Sequence, residues 1–316
     1  MILAGIDIGT NTLRLLVADT YPDSFQEIHA VRRITRLGEG LDRTGILSVA
    51  AQERSLQALA AFKEGLERWN PAAVSVAGTS ALRNATNAAR FISEVRERTG
   101  LSIRVLTGEE EARLTLLGVA RSVPKNITAG SSLLVVDIGG GSTEIMTTMQ
   151  GKERAAESFH LGAVYLTERY IRHDPPTPDE LDRVRQSIRQ ILDTAETGTA
   201  AGKGQLLVGT AGTITTLAAV DQRLVQYDPD KIHGYALKKA AIDRIVRELT
   251  YSTLAQRRGM PGLEHGREDI ILAGALIIQE IMERNGRESM IVSDWGLREG
   301  ILLDLYDKMV TGGSSV

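Results

Sequence analysis

The chain has 316 residues and no cysteine; that is enough for two domains of about 150 residues with a buried core, and it excludes disulfides, thiolate metal sites and a cysteine nucleophile. Its 37 lysines and arginines against 40 aspartates and glutamates give a net charge of −3, with 42% apolar and 24% charged residues, so it is neither a disordered chain nor a strongly basic nucleic-acid binder. An anionic ligand would have to be met by locally placed arginines.

Residues 2–8 form an apolar run ending on Asp7-Ile8-Gly9, and residues 12–19 form a second strand-compatible run; a short turn at 9–11 would join them as a hairpin. Residues 24–33 supply a third strand, and Gly38 and Gly40 mark a loop. A helix over 49–69 follows, with Leu56, Leu59 and Leu66 at helical spacing. A strand at 73–77, a helix at 87–99, a strand at 102–106 and a helix at 109–119 complete a βββαβαβα unit. After a loop at 124–130 the pattern starts again: strands at 133–138, 143–149 and 153–159, helices at 163–172 and 178–197, then a strand at 205–208. Helices at 213–221, 238–250 and 268–284, a strand at 290–293 and a helix at 296–306 close the chain. The expected domains are 1–125 and 126–295, with the C-terminal helix at 296–316 packing back on the first. The apolar stretch near 270–278 is far short of the ~20 residues a membrane span needs, and residue 1 leads straight into a strand containing Asp7, unlike a signal peptide. A cytoplasmic protein with no membrane partner and no specific nucleic-acid partner is expected.

One internal comparison organises the rest. Gly5-Ile6-Asp7-Ile8-Gly9-Thr10 and Val135-Val136-Asp137-Ile138-Gly139-Gly140 superpose with aspartate on aspartate. The repeat is of domain size, too long for a solenoid. Two similar α/β units packed face to face would present two aspartate-glycine hairpins across one cleft, and clefts between domains favour ligands.

A glycine-rich hairpin lets backbone N–H groups approach a phosphate, and an aspartate at a strand end can hold a hydrated magnesium ion. Neither hairpin is a Walker loop, since no lysine follows the glycines and no helix opens there, and neither carries the dinucleotide fingerprint. In Asp137-Ile138-Gly139-Gly140-Gly141-Ser142-Thr143-Glu144 the second carboxylate sits on the strand leaving the turn, so Asp137 and Glu144 can share one divalent cation; a solvated strand position is the plainer alternative for Glu144. Gly209-Thr210-Ala211-Gly212-Thr213 follows a strand and precedes an apolar helix, which suits an anion at a helix start, or equally a Thr213 cap on an ordinary helix.

In Thr107-Gly108-Glu109-Glu110-Glu111-Ala112-Arg113, Thr107 as N-cap makes Glu110 the partner in a capping box. Glu111 is not needed for that box and could take a proton from a water attacking phosphorus, although acids in a first helical turn also serve the helix dipole. Arg83 follows a strand and is expected in a loop before a helix, where a guanidinium could bind phosphate oxygens in bidentate fashion; it, Arg14 and Arg267 could equally be surface arginines. The five histidines form no metal-ligand pair, and His173-Asp174 before Pro175-Pro176 reads as a loop. Attack by water is the simplest chemistry left.

The segments Asp7 to Leu15, Thr79 to Ala85 through Arg83, Thr107 to Leu114, Asp137 to Glu144, Gly209 to Leu217, Arg267 to Gly274 and Ser293 to Gly300 together resemble the exopolyphosphatase and guanosine pentaphosphate phosphatase family. That family belongs to the superfamily of actin, sugar kinases and chaperone ATPases, so the resemblance implies an α/β fold of two ribonuclease H-like domains facing across a cleft. It implies Glu111 as catalytic glutamate, Arg83 as phosphate-binding arginine, and Asp137 and Glu144 as Mg²⁺-associated acids; Asp7, the strand-end aspartate of the other hairpin, is a further metal candidate. Asn11, Thr12 and Arg14 fall in the first phosphate motif, where Thr10 and Thr12 stand for the serines of many relatives. Gly139, Gly140, Gly141, Ser142, Thr143, Gly209, Thr210, Gly212, Thr213 and Arg267 are the further substrate-binding candidates. The chain resembles the short members without additional helical C-terminal domains, which argues against a long polyphosphate groove. The implied reaction is Mg²⁺-dependent hydrolysis of the terminal phosphate of inorganic polyphosphate, of guanosine pentaphosphate, or of both. A sugar-kinase-like phosphotransferase and a nucleotide-gated binding protein are the alternatives from other classes; a homodimer is compatible with the reading.

Overall fold

In the computed structural model, which describes residues 1–22, 24–123, 132–149, 152–195 and 205–312, the chain forms two compact units, residues 1–121 with 296–316 and residues 122–295. The loop expected at 124–130 and the end of the helix expected over 178–197 lie outside the described residues. Among the described residues no helix is long and apolar enough to cross a membrane.

The first unit is built on a five-stranded mixed sheet in the order β3-β2-β1-β4-β5. Its strands are β1 (Ile2–Ile8), β2 (Thr12–Tyr21), β3 (Ser24–Ile34), β4 (Ala73–Gly78) and β5 (Ile103–Val105). The first three run as an antiparallel meander, and β4 and β5 add in parallel. Alternation sends successive side chains of β1 and β2 to opposite faces, and both faces are covered. Ile6, Ile8, Leu13 and Leu15 pack against Leu56, Leu59 and Phe62 of α2 (Val49–Trp69), which follows the short α1 (Leu41–Thr44), and against Phe91 and Val95 further on. Leu3, Leu16 and Ala18, on the other face, meet Leu302 and Tyr306 near the C-terminus.

Helices α3 (Ser80–Asn84), α4 (Ala88–Thr99) and α5 (Gly108–Ser122) complete the N-terminal part. Arg83 therefore lies on a short helix rather than in the loop expected for it, because the chain turns into α3 directly at the end of β4.

The second unit repeats the plan. Strands β6 (Leu133–Ile138), β7 (Thr143–Met149), β8 (Lys152–Phe159), β9 (Leu206–Thr210), β10 (Ala236–Lys238) and β11 (Ser289–Val292) form a sheet in the order β10-β11-β9-β6-β7-β8. Its meander β6-β7-β8 and parallel β9 and β11 match β1-β2-β3, β4 and β5; β10 is an extra edge strand that the sequence reading did not assign, its last residue having been expected at the start of the following helix. With three residues, it is too short for its alternation to show. Around this sheet lie α6 (Ala163–Tyr170), α7 (Pro178–Leu192), α8 (Ala211–Asp221), α9 (Pro229–Ile232), α10 (Lys239–Tyr251), α11 (Leu254–Arg257) and α12 (Ile271–Arg284). The core joins Leu134, Val136 and Ile138 to Ile214, Leu217, Leu276 and Ile277. The helix expected from 268 starts only at Ile271, since residues 264–270 form a turn held by their own side chains.

The last helix, α13 (Leu297–Val310), belongs to the first unit. It crosses α5 at glycines: a Cβ on Gly300 would overlap the Leu114 carbonyl oxygen, and one on Gly118 the Gly296 carbonyl oxygen. Since both obstacles are backbone, Gly300→Ala is expected to cost about 1–3 kcal/mol of stability through overpacking. A urea midpoint at or above wild type, with unchanged slope, would contradict so close a crossing.

Candidate active site

The two hairpin turns are copies in geometry as well as in sequence. In the first, Gly9 N–H donates to Thr12 O at 3.1 Å; in the second, Gly139 N–H donates to Ser142 O at 3.0 Å. Both turn sequences place an aspartate at the penultimate position of the incoming strand, and β-pairing sets Asp7 opposite Arg14 and Asp137 opposite Glu144. Arg14 and Glu144 are thus equivalent positions of the repeat, one basic and one acidic.

In the first unit Asp7 is buried and its Oδ1 has no hydrogen-bond partner, while Oδ2 lies 3.7 Å from Arg14 Nη1. Burial pushes its pKa up to about 6; Arg14 opposes that shift, Glu299 adds to it and Arg298 opposes it. Arg298 and Glu299, at the start of α13, are themselves ion-paired, and Glu299 Oε2 accepts from Gly296 N–H at 2.8 Å. The turn residues Thr10, Asn11 and Thr12 are buried. The loop that follows β3 fixes the turn: Asn11 O accepts from Thr35 and Arg36 N–H, and Thr10 O from Gly38 N–H. Gly38 lets the loop pass this close, because a Cβ there would run into the Thr10 methyl group unless one of them shifted.

Arg83 and Glu111 come together. Arg83 Nη1 donates to Glu111 Oε2 and to Leu106 O, both at 2.9 Å, and Glu111 is buried. Its neighbour Glu110 is turned elsewhere. Thr107 N–H donates to Glu110 Oε2 at 2.8 Å, Glu110 N–H donates to Thr107 Oγ1 at 3.1 Å, and Arg104 pairs with Glu110 Oε1. The capping box is therefore complete without Glu111, and the Thr107 bond together with Arg104 lowers the Glu110 pKa.

In the second unit Asp137 and Glu144 are buried partners in register, and Ser158 Oγ donates to Glu144 Oε1 at 2.7 Å. Glu144 is not a solvated strand residue. The carbonyls of the glycine turn are tied back by the start of α6: Ala163 N–H donates to Gly139 O, and Val164 and Tyr165 N–H donate to Gly140 O. Gly162 permits this approach, since a Cβ there would strike the Gly140 carbonyl. Ser142 and Thr143 are buried, and the Thr143 hydroxyl donates to Leu161 O, a structural use of that side chain.

The Gly209–Thr213 segment departs from the sequence expectation. The helix begins at Ala211, so Thr213 is inside it and Thr210 is the cap residue; the Thr210 hydroxyl donates to Trp295 O instead of capping. Ala211 is held at φ 67, a conformation that costs a residue with a side chain free energy. The buried Arg267 guanidinium lies against Gly212, where a Cβ would collide with it. Its Nε donates to Glu264 Oε2 at 2.6 Å, and buried Arg257 anchors the same loop through Glu268 O and Leu249 O. The fold thus brings together Gly212 and Arg267, which lie far apart in sequence. His173 and Asp174 are structural: His173 meets Glu180, and Asp174 accepts from Leu254 N–H.

Among the described residues no group of three or more His, Asp or Glu could hold a metal by itself. That still fits Mg²⁺, which takes one or two protein carboxylates and completes its shell with water and substrate phosphate. Asp137 with Glu144, or Asp7 with its partnerless Oδ1, offers such hard oxygen donors.

Sequence reasoning gave no site role to Gly38, Gly162, Trp295 or the Arg298-Glu299 pair, although the last three residues lie in one of the segments that carry the resemblance. Gly38 was legible only as a loop marker and Gly162 not at all; both contact turns distant in sequence.

The model of the Ppx/GppA phosphatase family matches residues 16–309. The chain is 34% identical to exopolyphosphatase 2 of Mycobacterium tuberculosis over 96% of its own length and 98% of that protein. Among solved structures it is similar to the Aquifex aeolicus member of the Ppx/GppA family, with 33% identity, a TM-score of 0.80 and coverage of 100% and 99% of the two chains. An exopolyphosphatase from Cytophaga hutchinsonii matches with 26% identity, a TM-score of 0.89 and 99% coverage of both.

Proposed function

This chain belongs to the Ppx/GppA phosphatase family, and so to hydrolases of phosphoanhydride bonds; from that premise we propose that it is an Mg²⁺-dependent exopolyphosphatase in which Glu111 activates the attacking water. The observation that carries the reading is the pairing of half-buried Arg83 with buried Glu111, one residue away from a glutamate fully engaged in capping.

Glu111 accepts the proton of a water whose oxygen attacks the terminal phosphorus. The bond from that phosphorus to the bridging oxygen breaks, releasing orthophosphate and a chain one unit shorter. Arg83 uses Nη1 to orient Glu111, and the rest of its fork takes oxygens of the same phosphate. In each turn carbonyl oxygens are already engaged by neighbouring backbone N–H groups, which suits the use of turn N–H groups for an anion. When bound at Asp137 and Glu144 or at Asp7, Mg²⁺ would offset charge on the phosphate oxygens.

Phosphate release without any acceptor should be measured side by side on long-chain polyphosphate, tripolyphosphate, guanosine pentaphosphate and ATP. Polyphosphate is expected to be the best substrate. A clear preference for guanosine pentaphosphate would move the main activity to its 5′-triphosphate, and release only with a sugar acceptor would make the protein a kinase. A single terminal phosphate held by Arg83 also implies attack from chain ends. Gel analysis of the products should show orthophosphate accumulating while long chains persist; early medium-length fragments would contradict end recognition.

A further inference from the structure

Asp7, Arg14 and Arg32 are partners in register on β1, β2 and β3, so their side chains share one face of the sheet. Asp7 is buried, whereas Arg14 and Arg32, the latter on the edge strand, are both half-buried. Two arginines directly opposite each other on neighbouring strands are a costly choice for sheet stability, and a good one for gripping an anion.

The row also has a direction. On the other side of β1 lies β4, which leads into α3 with Arg83, and then β5, which leads into α5 with Glu111. Across this end of the sheet the order is Glu111 and Arg83, then Asp7, then Arg14, then Arg32. Strands lie about 4.8 Å apart, so β1 to β3 spans about 10 Å. A run of linked phosphates can follow that distance away from the reacting end.

We propose that Arg14 and Arg32 form a short track for the phosphates that follow the terminal one in linear polyphosphate, with Arg32 the residue that favours a long chain over a triphosphate. The inference rests on the exopolyphosphatase reading above and adds a specificity-determining residue to it. Arg33 is the internal control: it pairs with Leu13, and its side chain leaves the opposite face of β3.

Steady-state kinetics on Arg32→Ala, Arg32→Lys and Arg33→Ala test this. In Arg32→Ala the KM for long-chain polyphosphate is expected to rise about tenfold while kcat changes less than about twofold, the loss of one charge-assisted contact. The KM for tripolyphosphate and for guanosine pentaphosphate, whose phosphate run ends at the ribose, should stay near wild type. Arg32→Lys should recover part of the affinity, and Arg33→Ala should retain the wild-type KM for long chains. Equal losses on tripolyphosphate and long chains, a fall in kcat without a KM change, or the same effect in Arg33→Ala would each overturn the track. If the wild-type protein releases no phosphate from polyphosphate, the functional reading fails and takes the track with it. Wild-type activity with an unchanged KM in Arg32→Ala overturns the track alone.

Discussion

Glu111→Gln is expected to lower turnover by ~10² to 10⁴ while substrate affinity is largely kept. The glutamine has nearly the volume of the glutamate and can still accept from Arg83 through its carbonyl oxygen, so the buried pairing with Arg83 Nη1 can survive. What it cannot do is take the proton of the attacking water. Glu110→Gln is the matched comparison, because Glu110 is next in sequence and its carboxylate serves Thr107 N–H and Arg104. A glutamine there can still complete the capping box, so turnover should change little. Measured under saturating substrate, the pair separates a catalytic carboxylate from a generally acidic helix start. Equal small losses in both variants would remove Glu111 from the reaction.

That contrast also shows what was legible in the sequence. The Thr107-x-x-Glu110 spacing identified the capping box because cap chemistry is local, spanning only one helical turn. By assigning Glu110, it left Glu111 over. The repeat of Asp7-Ile8-Gly9 in Asp137-Ile138-Gly139 was legible for a similar reason: strand, aspartate and turn glycine are contiguous, and the sheet then pairs Asp137 with Glu144 by counting across the turn. The α/β class followed from the order of those runs, and the structure adds that each unit's sheet is mixed.

Long-range contacts were not legible. Nothing local announces that Gly162 brings α6 onto the carbonyl of Gly140, or that Trp295 O occupies the Thr210 hydroxyl that looked available to an anion. Ala211 at φ 67 gives no signal either, since left-handed backbone is normally advertised by glycine or asparagine. Arg267 could be named as a candidate, but its position against Gly212 depends on a loop anchored by Arg257 through two carbonyl oxygens.

Removal of divalent cations is expected to abolish phosphate release, and added Mg²⁺ to restore it. The carboxylates and turn groups offer hard oxygen donors, and the chain has no cysteine to favour a softer metal. Chelation alone is ambiguous, because a polyanionic substrate binds Mg²⁺ itself. Asp137→Asn resolves this: it removes one negative charge at nearly constant volume from the position paired with Glu144, while the Ser158 bond to Glu144 can remain. If Asp137 helps hold the ion, the Mg²⁺ concentration for half-maximal activity should rise by about tenfold or more, equivalent to losing about 1.4 kcal/mol of ligand interaction. Excess Mg²⁺ should then recover part of the rate. An unshifted Mg²⁺ requirement in Asp137→Asn would mean that the ion arrives with the substrate and is not held by this carboxylate. Full wild-type activity in chelator would remove metal from the proposed reaction altogether.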